Sequence, residues 1–181
     1  MNNEPWIQTY TGKKFYFLNP TPDMIDVEDI AHALSMQVRF GGHINKFYSV
    51  AEHSVYVSEL VGKSDKMGAL FHDASEAYIA DIVSPLKEHL RNYREIEDKL
   101  MWAISKKFGF EYPFHPDIHD ADHAQLKTEA KALLNHFPTW LADYPTTRAG
   151  GVQPYGLAPE KAKALFLGTY MFLTTGDMKY A

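Results

Sequence analysis

Four side chains on distant stretches of the chain have the donor atoms of a site for one divalent metal ion. They are His53, the adjacent pair His72 and Asp73, and the much later Asp122. Imidazole nitrogens and carboxylate oxygens are ligands that cobalt, manganese, zinc and, for oxygen, magnesium accept from proteins. The three stretches are predicted to be helical, which would let side chains from neighbouring helices meet at one ion. Such an ion polarises a phosphoryl oxygen and activates water.

The stretch around His72 interrupts an apolar helical stripe with polar side chains. His72, Asp73 and Glu76 lie within five consecutive positions and would share one sector of a helix. Burying an imidazole and two carboxylates without partners is strongly unfavourable, so the pattern predicts either a bound cation or a hydrogen-bonded polar patch. If a cation is bound, Glu76 can accept a proton from water or orient the water for attack.

Composition restricts the protein class. The chain has 181 residues, 45% of them hydrophobic, and no cysteine. This predicts one domain over residues 1–181 with a substantial core, and it excludes cysteine-type zinc sites and disulfides. The net charge of −5 without a basic run argues against binding to duplex nucleic acid. The chain has no apolar run of about 20 residues and no signal-peptide pattern, which predicts a cytoplasmic protein that does not span a membrane.

The pattern of apolar residues and turn residues predicts an all-α protein with a short N-terminal β-hairpin. Residues 1–25 form the predicted ribbon and linker, with a turn at Gly12, and residues 26–181 form the helical body. Asp26 is the predicted N-cap of the first helix. Helices are predicted at about 26–38, 50–61, 64–78, from 85, 93–108, 117–136 and 159–174. Residues 138–159 are rich in Pro, Gly and Thr and predict a surface loop long enough to close over a pocket.

The chain resembles the HD-domain metal-dependent phosphohydrolase superfamily in five segments that follow one another in the same order. The resemblance covers about residues 26–134, and within the superfamily it is closest to YfbR-type 5′-deoxynucleotidases and to short phage-type dATP triphosphohydrolases. The matching segments are Val50-Ala51-Glu52-His53-Ser54, His72-Asp73-Ala74-Ser75-Glu76-Ala77, Asp81, Ser84-Pro85-Leu86-Lys87 and Ala121-Asp122.

This resemblance implies a compact multi-helix HD-domain fold and assigns a role to each matching residue. The metal ligands would be His53, His72, Asp73 and Asp122. Asp120 competes with Asp122 for the last position, and Asp122 is preferred because an Ala-Asp pair followed by a leucine is the family pattern. The residues that act on water and on the leaving oxygen would be Glu76 and Asp81, although Asp81 could equally be a helix cap.

Three further residues are candidates for binding substrate phosphate. Arg39 precedes Gly41-Gly42, where a flexible backbone can approach an oxyanion, and related enzymes place an arginine there. An arginine that ends a helix is also common at the surface. His43 lies in the same glycine loop. Lys87 follows Pro85 in a predicted short helix, although a lysine in such a helix usually faces solvent.

The expected function is metal-dependent hydrolysis of deoxynucleotides. The resemblance favours a purine dNTP, as in the dATP enzymes, or a dNMP cleaved by a closely related 5′-nucleotidase. Two alternatives stay open: another HD phosphodiesterase acting on cyclic nucleotides or alarmones, and a noncatalytic nucleotide sensor. Members of the superfamily often associate, so the resemblance also implies a homo-oligomer.

Two other groups of residues suggest sites but have simpler explanations. His115, His119 and His123 follow at helical spacing that can bind zinc, but acidic residues interleave them and a surface cluster is the favoured interpretation. Aromatic residues of the ribbon could stack on a nucleobase, and packing within the hairpin explains them equally well. These residues are Trp6, Phe15, Tyr16 and Phe17.

Overall fold

The computed structural model of the chain describes residues 4–87 and 89–176. Near the N-terminus, β1 (Trp6–Gln8) pairs antiparallel with β2 (Lys14–Tyr16), and the turn between them contains Gly12 at φ 86°. A positive φ is accessible to glycine without strain, which is why the turn occurs there. Phe15 is fully buried and stacks on Tyr78, with ring centroids 4.1 Å apart. The predicted hairpin is confirmed, and it lies on the helices.

The described residues after the hairpin are mostly helical, as expected. Asp26 caps the first helix, since its Oδ1 accepts a hydrogen bond from the Glu28 backbone at 3.0 Å. The described part of the chain also contains 3₁₀ turns at Pro22–Met24 and Arg39–Gly42. The α-helices are α1 (Val27–Met36), α2 (Val50–Leu60), α3 (Lys66–Leu70), α4 (Glu76–Ile79), α5 (Ser84–Lys87), α6 (Tyr93–Phe108), α7 (Pro116–Leu133), α8 (Thr139–Ala142) and α9 (Pro159–Thr175).

Helix α2 lies at the centre of the fold. It packs against α1, α3, α7 and α9, and both apolar and polar side chains along it are buried. Around it, buried residues from several helices form the main core, among them Ile30, Leu34, Val55, Phe71 and Phe166. A helix buried on most sides gives its polar residues fixed surroundings, so a histidine on α2 has little freedom to reorient.

The predicted helix over 64–78 is wrong in its middle, because the helix stops at Leu70 and resumes at Glu76. Residues 71–75 form tight turns, in which the Ala74 N–H bonds to the Phe71 carbonyl at 3.0 Å. A competing hydrogen bond explains the break. The Ala69 carbonyl, which would accept from Asp73 in an α-helix, accepts instead from Nδ1 of the His72 side chain at 2.8 Å.

The predicted loop 138–159 contains the short helix α8, whose Leu141 is fully buried. Leu141 therefore fixes the start of this segment to the body of the protein. No helix among the described residues has the length and apolar character needed to cross a membrane.

Candidate metal centre

The four proposed metal ligands come from three separate elements that meet at one point. His53 lies in the first turn of α2, which begins because the Ser49 hydroxyl accepts a hydrogen bond from the Glu52 backbone at 3.2 Å. His72 and Asp73 lie in the turn between α3 and α4, and Asp122 lies in the first half of α7. The break in the third predicted helix thus occurs at two adjacent candidate ligands.

The donor atoms of these four residues are close together. Nε2 of His53 lies 3.2 Å from Nε2 of His72 and 3.1 Å from Oδ1 of Asp122. Nε2 of His72 lies 3.8 Å from the same Asp122 oxygen. Oδ2 of Asp73 lies 3.6 Å from the His53 nitrogen and 3.3 Å from the His72 nitrogen. The group formed by His53, His72 and Asp122 could hold a metal ion, and Asp73 reaches the same point.

Three of these separations, 3.1, 3.2 and 3.3 Å, match neighbouring ligands of a divalent ion, and the other two, 3.6 and 3.8 Å, are longer. Metal–ligand bonds of about 2.1 Å place neighbouring ligands about 3.0–3.4 Å apart in octahedral or tetrahedral coordination. The hydrogen bonds of the two imidazoles support the same conclusion. Nδ1 of His72 donates to the Ala69 carbonyl, and Nδ1 of His53 lies 2.6 Å from Oε1 of Glu129. With both Nδ1 atoms protonated, two Nε2 lone pairs face each other at 3.2 Å, an arrangement that calls for a cation between them.

The charges around the imidazoles also favour a cation. Burial opposes the charged form of both rings, and Arg39 opposes it further at His53. Nearby carboxylates outweigh these effects, so the pKa of His53 is raised and the pKa of His72 is raised well above its usual value. Burial likewise opposes ionisation of Asp73 and Asp122, but the two histidines hold both carboxyl pKa values below their ordinary range. The cluster therefore attracts positive charge.

Glu129 contacts the Nδ1 side of the His53 ring, opposite the nitrogen that faces the other candidate ligands. This residue is not among those predicted from the sequence. It is fully buried on α7, where Oε1 contacts His53 and accepts the Tyr48 hydroxyl at 2.7 Å. Its Oε2 accepts from Nη2 of Arg39 at 3.2 Å. Such a carboxylate fixes the orientation of a ligand histidine. A sequence signal existed, since Glu129 follows Asp122 by seven residues, two helical turns along the same face.

Arg39 links this support to the ligands. Nη1 of Arg39 donates to Oδ2 of Asp73 at 3.4 Å, and the side chain is largely buried. Burial opposes its charge, yet Glu129 and Asp73 raise the pKa of Arg39, so the guanidinium stays charged. Its Nε is buried and has no hydrogen-bond partner in the described part of the chain. Arg39 therefore stands beside the ligands as a fixed cation.

Glu76 lies next to the ligands with one of its oxygens free. Lys87 donates to Oε1 of Glu76 at 3.1 Å, and the same lysine donates to Glu97 at 3.1 Å. Oε2 of Glu76 is buried and, among the residues described, has no hydrogen-bond partner. Burial, followed by repulsion from Asp73 and Asp81, raises the pKa of Glu76 well above its usual value, although Lys87 acts in the opposite direction. The shift favours the protonated form, so this carboxylate takes up a proton more readily than an ordinary glutamate.

A cavity of about 270 Å³ opens onto the ligands. Phe40 lines it from the 3₁₀ turn, with the left-handed φ of 56° that is unusual for a residue other than glycine. The polar lining consists of Arg39, Asp73, Glu76, Asp81, Lys87 and Asp122, and the rest of Phe40, Ile82, Val83, Leu126, Trp140 and Tyr144. Six proposed site residues, all of them charged, thus line one cavity, whereas the proposed ligands His53 and His72 are not among its lining residues. His43 is exposed and is not among the lining residues.

Comparison with known proteins assigns the chain to a family. It is 39% identical over 165 residues to the uncharacterized protein YfdR of Escherichia coli K12, a match that spans 90% of this chain and 92% of YfdR. The chain belongs to the YfdR family. It is also 34% identical over 142 residues to the uncharacterized protein RCAP_rcc00048 of Rhodobacter capsulatus, across 71% of this chain and 72% of that protein. No family model matches. The names of these YfdR-family relatives state no activity.

The other histidines of this YfdR-family chain lie outside the metal group. His115 and His119 are exposed, and His115 caps α7 by accepting a hydrogen bond from the Asp117 backbone at 3.3 Å. His123 is half-buried, and its Nδ1 donates to the Pro145 carbonyl at 2.8 Å. His119 lines a second cavity, of about 260 Å³, which also reaches His72, Asp73 and Asp122. The favoured surface interpretation agrees with the exposure of His115 and His119, whereas His123 has a structural contact.

The aromatic residues at the cavity are different from those that the sequence suggested. Trp6, Phe15, Tyr16 and Phe17 do not line it, and Phe15 belongs to the core. Phe40, Trp140 and Tyr144 line it instead. The last two come from residues 138–159, the segment predicted to close over a pocket. Sequence spacing gave no means of choosing them, because they lie beyond the segments that resemble a known family.

Proposed function

We propose that this protein is an HD-type metal-dependent phosphohydrolase whose substrates are deoxynucleoside monophosphates. The main support is the convergence of two imidazoles and two carboxylates beside Glu76, whose Oε2 has no partner among the described residues. A structural salt-bridge cluster would pair its carboxylates fully, because a buried unpaired oxygen is unfavourable. The preference for deoxyribose rests on the resemblance alone.

The charge of the cavity favours a monophosphate over a triphosphate. Its lining has two cations, Arg39 and Lys87, and four carboxylates, Asp73, Glu76, Asp81 and Asp122. With all four carboxyl groups ionised, which Glu76 must be to accept a proton from water, one divalent ion would balance the excess of two negative charges and leave the lining neutral. A phosphomonoester adds at most about two negative charges. A triphosphate adds about twice as many, and the described lining residues include no further cations to pair with them. Of the two activities expected from the sequence, cleavage of a dNMP is therefore the better match.

A bound divalent ion would supply Lewis-acid polarisation of the phosphoryl group. The side chains of the protein would bind the phosphate and transfer the protons. Arg39, held by Glu129 and Asp73, offers a fixed positive charge for a phosphoryl oxygen. Lys87 occupies Oε1 of Glu76, which leaves Oε2 to accept a proton from the attacking water. Asp81 lines the same cavity, and the family resemblance assigns it a role at the leaving oxygen.

The test is release of deoxynucleoside, followed by chromatography, from a panel of dNMPs and dNTPs by protein stripped with chelator and reloaded with Co, Mn, Zn or Mg. Release should require metal and should be faster from dNMPs. Asp73→Ala should lower kcat/KM at least about a thousandfold, because metal activation contributes several kcal/mol. Glu76→Gln should retain metal and lose turnover. Turnover that persists in Asp73→Ala would refute the proposal, and faster cleavage of dNTPs would refute the charge argument. A noncatalytic sensor would show no turnover with any metal.

A further inference from the structure

The rim of the cavity carries an aromatic pair that the proposed chemistry does not use. Trp140 and Tyr144 line the same cavity as Asp73, Glu76 and Asp122. Their rings meet edge to face, with centroids 5.9 Å apart and planes at 79°. Trp140 is 56% exposed. Tyr144 thus packs against the indole of Trp140, and much of the Trp140 surface stays accessible to solvent.

The α8 segment that carries this pair is fixed to the protein. Leu141, beside Trp140 in α8, is fully buried. Lys127 of α7 donates to the Ala142 carbonyl at 3.0 Å at the end of α8. The His123 ring contacts Tyr144, with centroids 4.4 Å apart, and donates to the carbonyl of the next residue, Pro145. Contacts at Leu141, Ala142, Tyr144 and Pro145 therefore fix the segment that carries Trp140 to the rest of the protein.

The residues that follow are attached to α7 as well. The Asp120 carboxylate accepts the Thr147 backbone N–H and hydroxyl, each at 2.7 Å. Arg148 pairs with Asp117 and, at 3.3 Å, with Asp120. The anchors for this segment thus lie on the same helix as the proposed ligand Asp122. Their position along α7 sets the distance between the aromatic pair and the ligands, which is the rigidity that binding without a large entropy loss requires.

We infer that Trp140, supported by Tyr144, is a stacking platform for the nucleobase of the substrate. This inference rests on the proposed function, because it assumes that the phosphate lies at the charged end of the same cavity. A nucleotide has a charged end and a flat apolar end, and the cavity offers a matching surface for each. Stacking tolerates every base, since each has a π-face. The platform therefore predicts weak discrimination among bases, with a modest preference for the larger purines.

A second tryptophan provides a matched control. Trp102 on α6 is 53% exposed, close to the value for Trp140. It is absent from the lining of the metal-site cavity, and Lys106 lies over its ring at 4.3 Å from the centroid. Loss of an exposed indole as such can therefore be separated from loss of the platform.

The first experiment compares dAMP with 2-deoxyribose 5-phosphate, which lacks the base. For each variant the measured quantity is the ratio of kcat/KM for dAMP to kcat/KM for the sugar phosphate. Trp140→Ala should lower this ratio about tenfold or more, mainly through KM for dAMP, because stacking contributes about 1–3 kcal/mol per base. Trp140→Phe should recover part of it, and Trp102→Ala should leave it unchanged. An unchanged ratio in Trp140→Ala, with dAMP still hydrolysed, would refute the platform and leave the proposed function standing.

The second experiment does not depend on turnover. The chain has three tryptophans, Trp6, Trp102 and Trp140, so a Trp6→Phe/Trp102→Phe variant has Trp140 as its only indole. Deoxyadenosine titrated into this variant should quench its fluorescence with saturation, and a variant that keeps only Trp102 should show no saturable quenching. Saturable quenching without hydrolysis of any phosphate would support the platform and refute the proposed function. Failure of deoxyadenosine and dAMP to quench Trp140 would refute the platform.

Discussion

Glu52 and Glu76 are both buried glutamates, but the protein surrounds them differently. Glu52 accepts four hydrogen bonds: the backbone N–H groups of Tyr155, Gly156 and Leu157 at 2.8, 3.0 and 2.7 Å, and the Tyr56 hydroxyl at 3.0 Å. Glu76 accepts from Lys87 at Oε1, whereas its Oε2 has no partner within the described residues. The first carboxylate is fully satisfied and the second is not.

The surroundings of Glu52 show a structural role. Glu52 lies on α2, one position before His53, and its hydrogen bonds hold residues 155–157 against this helix. Gly156 lies there at φ 81°, and a side-chain Cβ at this position would come within 2.8 Å of the Phe47 carbonyl. Only glycine fits this close approach. One carboxylate therefore connects the segment after the aromatic rim to the helix that carries the proposed ligand His53.

The difference separates residues that stabilise the fold from residues available for chemistry. A buried carboxylate with all its hydrogen bonds made has nothing left to offer a substrate. A buried carboxylate with a free oxygen is unfavourable for folding, and such groups persist where function requires them. This distinction leads to different expectations for substitution at the two glutamates.

The largest expected effect on stability is at Glu52. Glu52→Ala leaves three backbone N–H groups without their acceptor, each worth about 1–3 kcal/mol, so the free energy of unfolding should fall by about 3 kcal/mol or more. Urea unfolding of the metal-free protein measures it. Glu76→Ala, the same substitution at the other glutamate, removes the acceptor of one hydrogen bond, from Lys87, and should lower stability clearly less. Equal losses in the two variants would contradict the distinction between them.

Glu129 combines both properties, since it is fully bonded and also supports a ligand. Glu129→Gln should weaken metal binding about ten- to hundredfold, because the carboxylate that orients His53 is lost. Competition with a coloured chelator measures the affinity. Tyr48→Phe is the control: it removes one hydrogen bond to Glu129 but keeps the carboxylate next to His53, so its effect should be smaller. A larger effect of Tyr48→Phe would show that Glu129 does not act through His53.

Local signals in the sequence were sufficient for much of the fold. The cap at Asp26 and the glycine turn at Gly12 depend on neighbouring residues only, and both predictions are confirmed. The helix predicted over 93–108 has the same bounds in the structure. The candidate ligands could be proposed because the segments that contain them resemble the HD-domain signature; the His72-Asp73 pair alone also fits a hydrogen-bonded polar patch.

The remaining features depend on contacts between distant residues. The helix break at 71–75 follows from the orientation of the His72 ring toward the Ala69 carbonyl. Helix propensities of single residues do not predict such a side-chain hydrogen bond. Glu129 could not be distinguished from a solvent-exposed helical glutamate until Arg39, Tyr48 and His53 were placed around it. The rim residue Trp140 is 18 positions from Asp122 along the chain, and only the packing of α8 on α7 brings it to the cavity.

The smallest expected effect is a pH dependence that belongs to Glu76. Burial first, then repulsion from Asp73 and Asp81, raises its pKa well above 4.5 in the folded protein. The folded state therefore retains a proton that the unfolded state has released. Stability from this group is complete below about pH 4.5 and falls as the pH rises from there toward the folded pKa, by at most about 1.4 kcal/mol per pH unit.

Glu76→Gln removes this titration, so the variant should gain stability relative to the wild type as the pH rises above 4.5. Urea unfolding of both proteins in chelator, from pH 4.5 to 8, measures the difference. The exposed Glu95, whose pKa is lowered by its hydrogen bond to Lys99, is the control, and Glu95→Gln should show no such gain. If the difference between Glu76→Gln and wild type fell with pH instead, the ion pair with Lys87 would outweigh burial. Glu76 would then resemble Glu52, a carboxylate whose bonds stabilise the fold.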